Sequence, residues 1–189
     1  MTNTTRSYFE MLYSKQPDPW GFATEWYEQR KYTLTLASLP RNRYESAFEP
    51  GCSIGVLTEM LAPRCQGLLS FEMIPSALDQ ARQRLRAFPH VLLELAAIPD
   101  DWPENEFDLV VLSEIAYYFD KETLFEILER LLATTSIGAT VIGVHWRGAT
   151  DYPLSGDETH EIIDSVPGLN RVVQHREPLL ALDVWERSK

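Results

Sequence analysis

The residues best suited to chemistry lie in Phe48-Glu49-Pro50-Gly51-Cys52-Ser53-Ile54-Gly55, between an apolar run and a helical stretch. Gly51 and Gly55 lack the Cβ atoms that would keep a ligand away from the backbone. Glu72 stands 21 residues after Gly51, at the end of the next strand-like run. An acidic residue at about that distance can accept from both hydroxyls of a ribose. The turn and the carboxylate together describe a nucleoside cradle. The bland alternative is a tight turn with a solvated Glu72. A pyrophosphate on the following helix N-terminus would meet repulsion from Glu49, whereas a cationic ligand would not. S-adenosylmethionine, with a carboxylate, an ammonium and a sulfonium but no phosphate, therefore fits the cradle better than NAD.

The same letters carry a rival. Gly51-Cys52-Ser53-Ile54-Gly55 matches G-x-S-x-G, the nucleophile elbow of α/β serine hydrolases, with Ser53 as nucleophile and His145, His160 and His175 downstream. Hydrolases build several strands before that elbow. Here about fifty residues precede it, and most read as helix.

The elements that must position these residues follow from periodicity. Tyr8 to Tyr13 reads as a short helix, Pro17-Asp18-Pro19-Trp20-Gly21 as a break, and Ala23 to Leu39 as a longer helix. Short apolar runs then alternate with amphipathic stretches. Strands are expected around Ala47-Phe48-Glu49, Gly67 to Phe71, His90 to Leu95, Phe107 to Leu112 and Ala139 to Trp146. Helices are expected at Val56 to Leu61, Pro75 to Leu85 and Glu122 to Leu132, the last with Leu124, Ile127, Leu128 and Leu131 on one stripe. Phe107 to Leu112 is the most apolar run and suits a central strand buried on both faces. Arg171 to His175 and Leu179 to Trp185 read as an antiparallel pair around Glu177-Pro178. The expectation is a single α/β domain, Rossmann-like and doubly wound. Its seven-stranded sheet is mostly parallel with an antiparallel C-terminal strand, and residues 1–43 form a helical cap on a 44–189 core.

Composition narrows the partners. The 189 residues are 44% hydrophobic and 24% charged, an ordinary globular balance. Lys and Arg total 17 against 28 Asp and Glu, a net charge of −11, which disfavours nucleic acid and anionic membranes. Two cysteines, Cys52 and Cys65, make no disulfide framework or metal spacing. Met1-Thr2-Asn3-Thr4-Thr5-Arg6 is followed by no apolar leader segment, so a reducing, cytoplasmic setting is expected. No metal site is expected.

The glycine turn, Glu72 and Phe107 to Glu114 resemble, in order, the motifs of class I S-adenosylmethionine-dependent methyltransferases. Asp18-Pro19-Trp20-Gly21 with Trp26-Tyr27-Glu28, the glycine turn itself, and Val144-His145-Trp146-Arg147 with Asp151-Tyr152-Pro153-Leu154 resemble the nodulation N-methyltransferase (NodS-like) family. That resemblance implies methyl transfer to an amine nitrogen of a small-molecule or amino-sugar acceptor. A non-catalytic S-adenosylmethionine sensor is the alternative. It also implies that Glu49, Gly51, Cys52, Ser53 and Gly55 cradle the methionine part, Glu72 the ribose, and Met73 the adenine face. Superfamily members often place an Asp where this chain has Ala96-Ala97-Ile98. Adenine is then expected to be read by backbone groups around Ala97 and Ile98.

Ser113 and Glu114 are placed at the transfer site. Glu114 and His145 both end strands on the ligand-binding edge, and either could take the proton an acceptor amine must lose. Tyr117 and Tyr118 are expected to wall the acceptor, and the loop from Trp146 to Gly156 to face it. In the cap, Trp20 is expected to shield the cofactor and Arg30 to pair with its carboxylate.

Overall fold

Leu109, Val110, Val111 and Leu112 expose no surface at all, which puts their strand at the centre of the sheet. They belong to β4 (Phe107–Ser113). The computed structural model describes residues 3–189, so Met1 and Thr2, which open the stretch read for a leader, lie outside the described residues. The other strands are β1 (Tyr44–Pro50), β2 (Cys65–Glu72), β3 (Val91–Leu95), β5 (Thr135–Trp146), β6 (Leu169–Arg176) and β7 (Leu180–Arg187). The helices are α1 (Arg6–Lys15), α2 (Trp26–Ser38), α3 (Val56–Leu61), α4 (Pro75–Arg84), α5 (Lys121–Ala133) and α6 (Gly156–Asp164).

The seven strands run in the order β3-β2-β1-β4-β5-β7-β6. β1 to β5 pair in parallel, and β7 lies antiparallel between β5 and β6. The expected doubly wound sheet is therefore present, with its antiparallel last strand inserted rather than added at the edge. Strand alternation sends Leu109 and Val111 to one face, where they join Phe9, Tyr13, Tyr32 and Leu57. Val110 and Leu112 go to the other face, with Leu124, Ile127, Leu128 and Leu131 of α5 and Ile162 and Ile163 of α6. The strand order reverses between β1 and β4, and such a switch point opens a crevice at the strands' carboxyl ends.

Three elements depart most from expectation. α6 was not anticipated, although Ser155 and Glu158 form a reciprocal capping box at its start. That signal was legible in the letters. β5 begins at Thr135 rather than Ala139, because Gly138 at φ +82° and a register shift between Phe107 and Leu109 interrupt the apolar pattern. α2 starts at Trp26 because the Asp18 carboxylate holds the Phe22 and Ala23 N–H groups in a turn.

Leu128, on the inward face of α5, is 1% exposed, whereas Ile137 is 58% exposed. Leu128→Ala should cost about 2–5 kcal/mol in urea unfolding, and Ile137→Ala less than about 0.5 kcal/mol.

Candidate functional site

A cavity of about 290 Å3 opens at the switch point, floored by the ends of β1, β2 and β4. The amino-terminal helices roof it. Phe9, Tyr13, Trp20 and Tyr32 line that side. Asn3 and Thr4 tie the roof down: Thr4 donates its N–H to the Tyr118 carbonyl at 2.7 Å, and Asn3 Oδ1 accepts from the Asp120 N–H at 2.7 Å.

The turn after β1 takes left-handed backbone at Gly51 (φ +75°), Ser53 (+52°) and Gly55 (+79°). A Cβ on Gly51 would sit 2.7 Å from Ile115 Cδ1, and one on Gly55 would sit 3.1 Å from Ala81. The glycines thus admit neighbouring protein as much as ligand. Gly51, Cys52 and Ser53 line the cavity; Gly55 does not, because it faces α4.

Glu72 is fixed beside the turn. Its Oε2 accepts from the Ser53 N–H at 2.9 Å and its Oε1 from the Ile74 N–H at 2.8 Å. Each oxygen keeps a lone pair for a further donor. Glu49 directs one oxygen to Thr58 Oγ1 at 2.6 Å and Ser70 Oγ at 3.0 Å, and burial pushes its carboxyl up to about 7. Burial also raises Glu72 and, more strongly, the Cys52 thiol.

Glu114 closes the floor. It holds left-handed backbone (φ +53°) just after β4, a conformation that a non-glycine residue keeps only under constraint. The constraint is visible. Lys31 Nζ of α2 lies 2.8 Å from Glu114 Oε1, while Glu114 Oε2 accepts from the Trp146 N–H at 3.1 Å and from the Tyr117 hydroxyl. Lys31 also pairs with Glu28 at 2.7 Å. The sequence alone gives Lys31 no role and Glu28 none beyond the Trp26-Tyr27-Glu28 resemblance, because a Glu and a Lys three residues apart on a helix read as a solvated pair.

Ser113, Met73, Ala97, Ile98 and Tyr118 line the cavity. The Ala97 N–H, however, is already donated to Asp101 at 2.9 Å. Asp100, which was not singled out, lines the cavity nearby.

Several expectations are corrected. Arg30 forms a two-pronged pair with Glu177 at 2.6 and 2.8 Å, away from the cavity. The Trp146 ring packs edge-on against Tyr27, so its backbone rather than its side chain serves the site. Tyr117 is buried behind Glu114 and does not line the cavity.

His145 is fully buried and also outside the cavity. Its Nε2 accepts from the Ala116 N–H at 3.2 Å. A neutral ring must then carry its proton on Nδ1, which donates to His160 Nε2 at 2.9 Å. His160 Nδ1 in turn donates to Asp183 at 2.7 Å, and Arg176 clamps Asp183 at 2.6 and 2.7 Å. Burial lowers the pKa of both rings, in keeping with two neutral imidazoles. His145 therefore fixes the Ala116–Tyr118 turn and does not touch a reacting atom. This also leaves Ser53 without a base: His90 is bonded to the Ala62 carbonyl, His175 to Glu177, and Ser53 Oγ to the Tyr13 hydroxyl at 2.5 Å. Among the described residues, no three His, Cys, Asp or Glu side chains gather as a metal ion would need. Nor is any described helix long and apolar enough to cross a membrane.

The family profile described as Nodulation protein S (NodS) matches residues 11–146. The chain belongs to the NodS family. Nodulation protein S of Rhizobium tropici is 33% identical over 102 residues, 53% of this chain and 43% of that protein. The chain spans about half the length of the curated relatives it matches. A candidate methyltransferase from Pseudomonas syringae has a similar structure, with TM-score 0.77 and 39% identity over 86% of this chain and 100% of the other. The N-methyltransferase NodS from Bradyrhizobium japonicum WM9, in complex with S-adenosyl-L-homocysteine, superposes with TM-score 0.86 at 24% identity, covering 99% and 100% of the two chains. The fold is that of the class I methyltransferases. The region matched to NodS holds Lys31, the glycine turn, Glu72, Glu114 and His145; His160, Arg176 and Asp183 lie beyond it.

Asp183→Asn would remove the anion that both His160 and Arg176 depend on. It should cost about 1–3 kcal/mol in urea unfolding, because the half-buried Arg176 and the buried His160 N–H lose charge-assisted hydrogen bonds to a carboxylate.

Proposed function

We propose that this chain is an S-adenosylmethionine-dependent N-methyltransferase acting on a small-molecule or amino-sugar amine. The observation that carries the reading is the donor and acceptor set of one cavity: Glu72 held beside a left-handed turn, with Glu49 and Glu114 on the same floor. Such a lining suits a nucleoside bearing an ammonium and a sulfonium, and opposes a pyrophosphate. The name and bound product of the Bradyrhizobium japonicum relative support the same choice.

When bound, S-adenosylmethionine would supply the methyl group that the acceptor nitrogen takes, and the protein's part would be to align the two. Glu72 would accept from the ribose hydroxyls without moving, since backbone N–H groups already orient it. Glu49, Met73 and Ile98 line the cavity; Glu49 would hold the ligand's ammonium, and Met73 and Ile98 would flank the adenine. Asp100 accepts from the adenine amino group, the task that Ala97 has no side chain to perform. Glu114, aimed by Lys31, Tyr117 and the Trp146 N–H, meets the acceptor amine and takes its proton. Tyr118 walls that amine, on a turn that His145 keeps in place.

Three outcomes test this. Labelled methyl from S-adenosylmethionine should appear on glucosamine oligomers; cofactor binding with no transfer to any amine would favour the sensor reading instead. Free Glu49 holds a proton below pH of about 7, and a ligand ammonium favours its carboxylate, so binding must expel that proton in acid. The affinity for S-adenosylhomocysteine should then fall by up to about tenfold per pH unit below 7. Calorimetry in buffers of different ionisation heat should show the proton release, and Glu49→Gln should abolish it. Arg30→Ala should leave the affinity within about twofold, because Arg30 serves Glu177.

A further inference from the structure

Two carboxylates share one buried ammonium beside the proposed site of transfer. Lys31 is 2% exposed, with Nζ 2.7 Å from Glu28 Oε2 and 2.8 Å from Glu114 Oε1. The rings of Phe22, Tyr27 and Tyr32 surround that Nζ at 5.4–5.8 Å and exclude water from it. With all three groups ionised the cluster carries one net negative charge. A buried ion pair needs only one carboxylate, and a second adds desolvation cost without a full partner.

The two carboxylates are not equivalent. Glu114 accepts from three donors, and of the three groups it alone lines the cavity. Glu28 lies behind it, 8% exposed, and its Oε2 receives no well-directed hydrogen bond despite its closeness to Lys31. The other groups facing the cluster are Tyr27 and Tyr32 on α2, Tyr117 and Tyr118 after β4, Tyr152, Glu49 on β1, Asp18 before α2 and neutral His145 on β5. Arg30 reaches Tyr27 but is held by Glu177, so Lys31 is the cation that Glu28 and Glu114 share.

We propose that Glu28, Lys31 and Glu114 form a proton-accepting relay that selects a cationic amine as acceptor, with Glu28 as the proton's resting place. The acceptor's ammonium gives one N–H proton to Glu114. Lys31 passes one Nζ proton to Glu28 Oε2 and takes the proton from Glu114. The result is a neutral amine, a neutral Glu28, an ammonium on Lys31 and a carboxylate on Glu114. One proton has moved, the cluster goes from −1 to 0, and no other reactant is needed. An alcohol holds its proton too tightly to give it to a carboxylate, so the relay favours amines over hydroxyls. Glu28 and Lys31 act through Glu114 and are positioning residues. The proposal rests on the amine-methylation reading above.

The test is the pH profile of kcat/KM for Glu28→Gln, with saturating S-adenosylmethionine and a glucosamine oligomer as acceptor. The variant should lose at least about tenfold near pH 6.5, and the loss should shrink toward pH 9.5, where the amine arrives already neutral. S-adenosylhomocysteine affinity should not change. A loss equal at every pH, or no loss, would overturn the relay. Wild-type protein that binds S-adenosylhomocysteine but methylates no amine would overturn the underlying reading, and the relay with it. A measurement on the wild type avoids any folding defect of the variant. With 13C-labelled glutamate, adding the glucosamine oligomer to the S-adenosylhomocysteine complex should move the Glu28 carboxyl resonance to its protonated position. A proton on Glu114 instead, or on neither, would overturn the proposal.

Discussion

Burying carboxyl groups is costly, and this molecule gathers three buried ones, Glu28, Glu49 and Glu72, and the partly buried Glu114 at one end of its sheet. Each is stabilised by a different device. Glu49 has two hydroxyls, Glu72 has two backbone N–H groups, and Glu28 and Glu114 share Lys31. A cavity floored this way favours cations, and the rest of the structure can be understood as what holds that floor in place. The parallel strands β1, β2 and β4 bring three of the carboxylates to one edge, and the left-handed turns at Ser53 and Glu114 aim the backbone around them.

The amino-terminal helices are part of the site. α2 supplies both Glu28 and Lys31, and α1 contributes Tyr13, whose hydroxyl meets Ser53. On the far side, the chain from Arg176 through Asp183, His160 and His145 to the Ala116 N–H steadies the turn that carries Tyr117 and Tyr118. Inserting β7 beside β5 makes that chain possible, because it places Asp183 opposite Gly143, within reach of His160 on α6.

Much of this was legible before any coordinates. Alternating apolar runs defined the sheet, and the spacing from Gly51 to Glu72 located the cavity, because both follow from local geometry. What escaped depends on partners distant in the chain. Arg30 and Lys31 are adjacent and both basic. The helix turns one outward to Glu177 and the other inward to Glu114, and periodicity alone could not say which charge was buried. His145 ends a strand at the right edge, but its ring alternates to the face away from the cavity. The α6 capping box was present in the letters and overlooked.

Whether the cavity takes an adenosine bearing an amino-acid ammonium, rather than a dinucleotide, is tested most directly by calorimetric titration of the purified protein with S-adenosylhomocysteine and, at the same concentration, with NAD. Saturable binding of S-adenosylhomocysteine with no heat from NAD is the predicted result. Equal or tighter binding of NAD, or no binding of S-adenosylhomocysteine by folded, ligand-free protein, would contradict it.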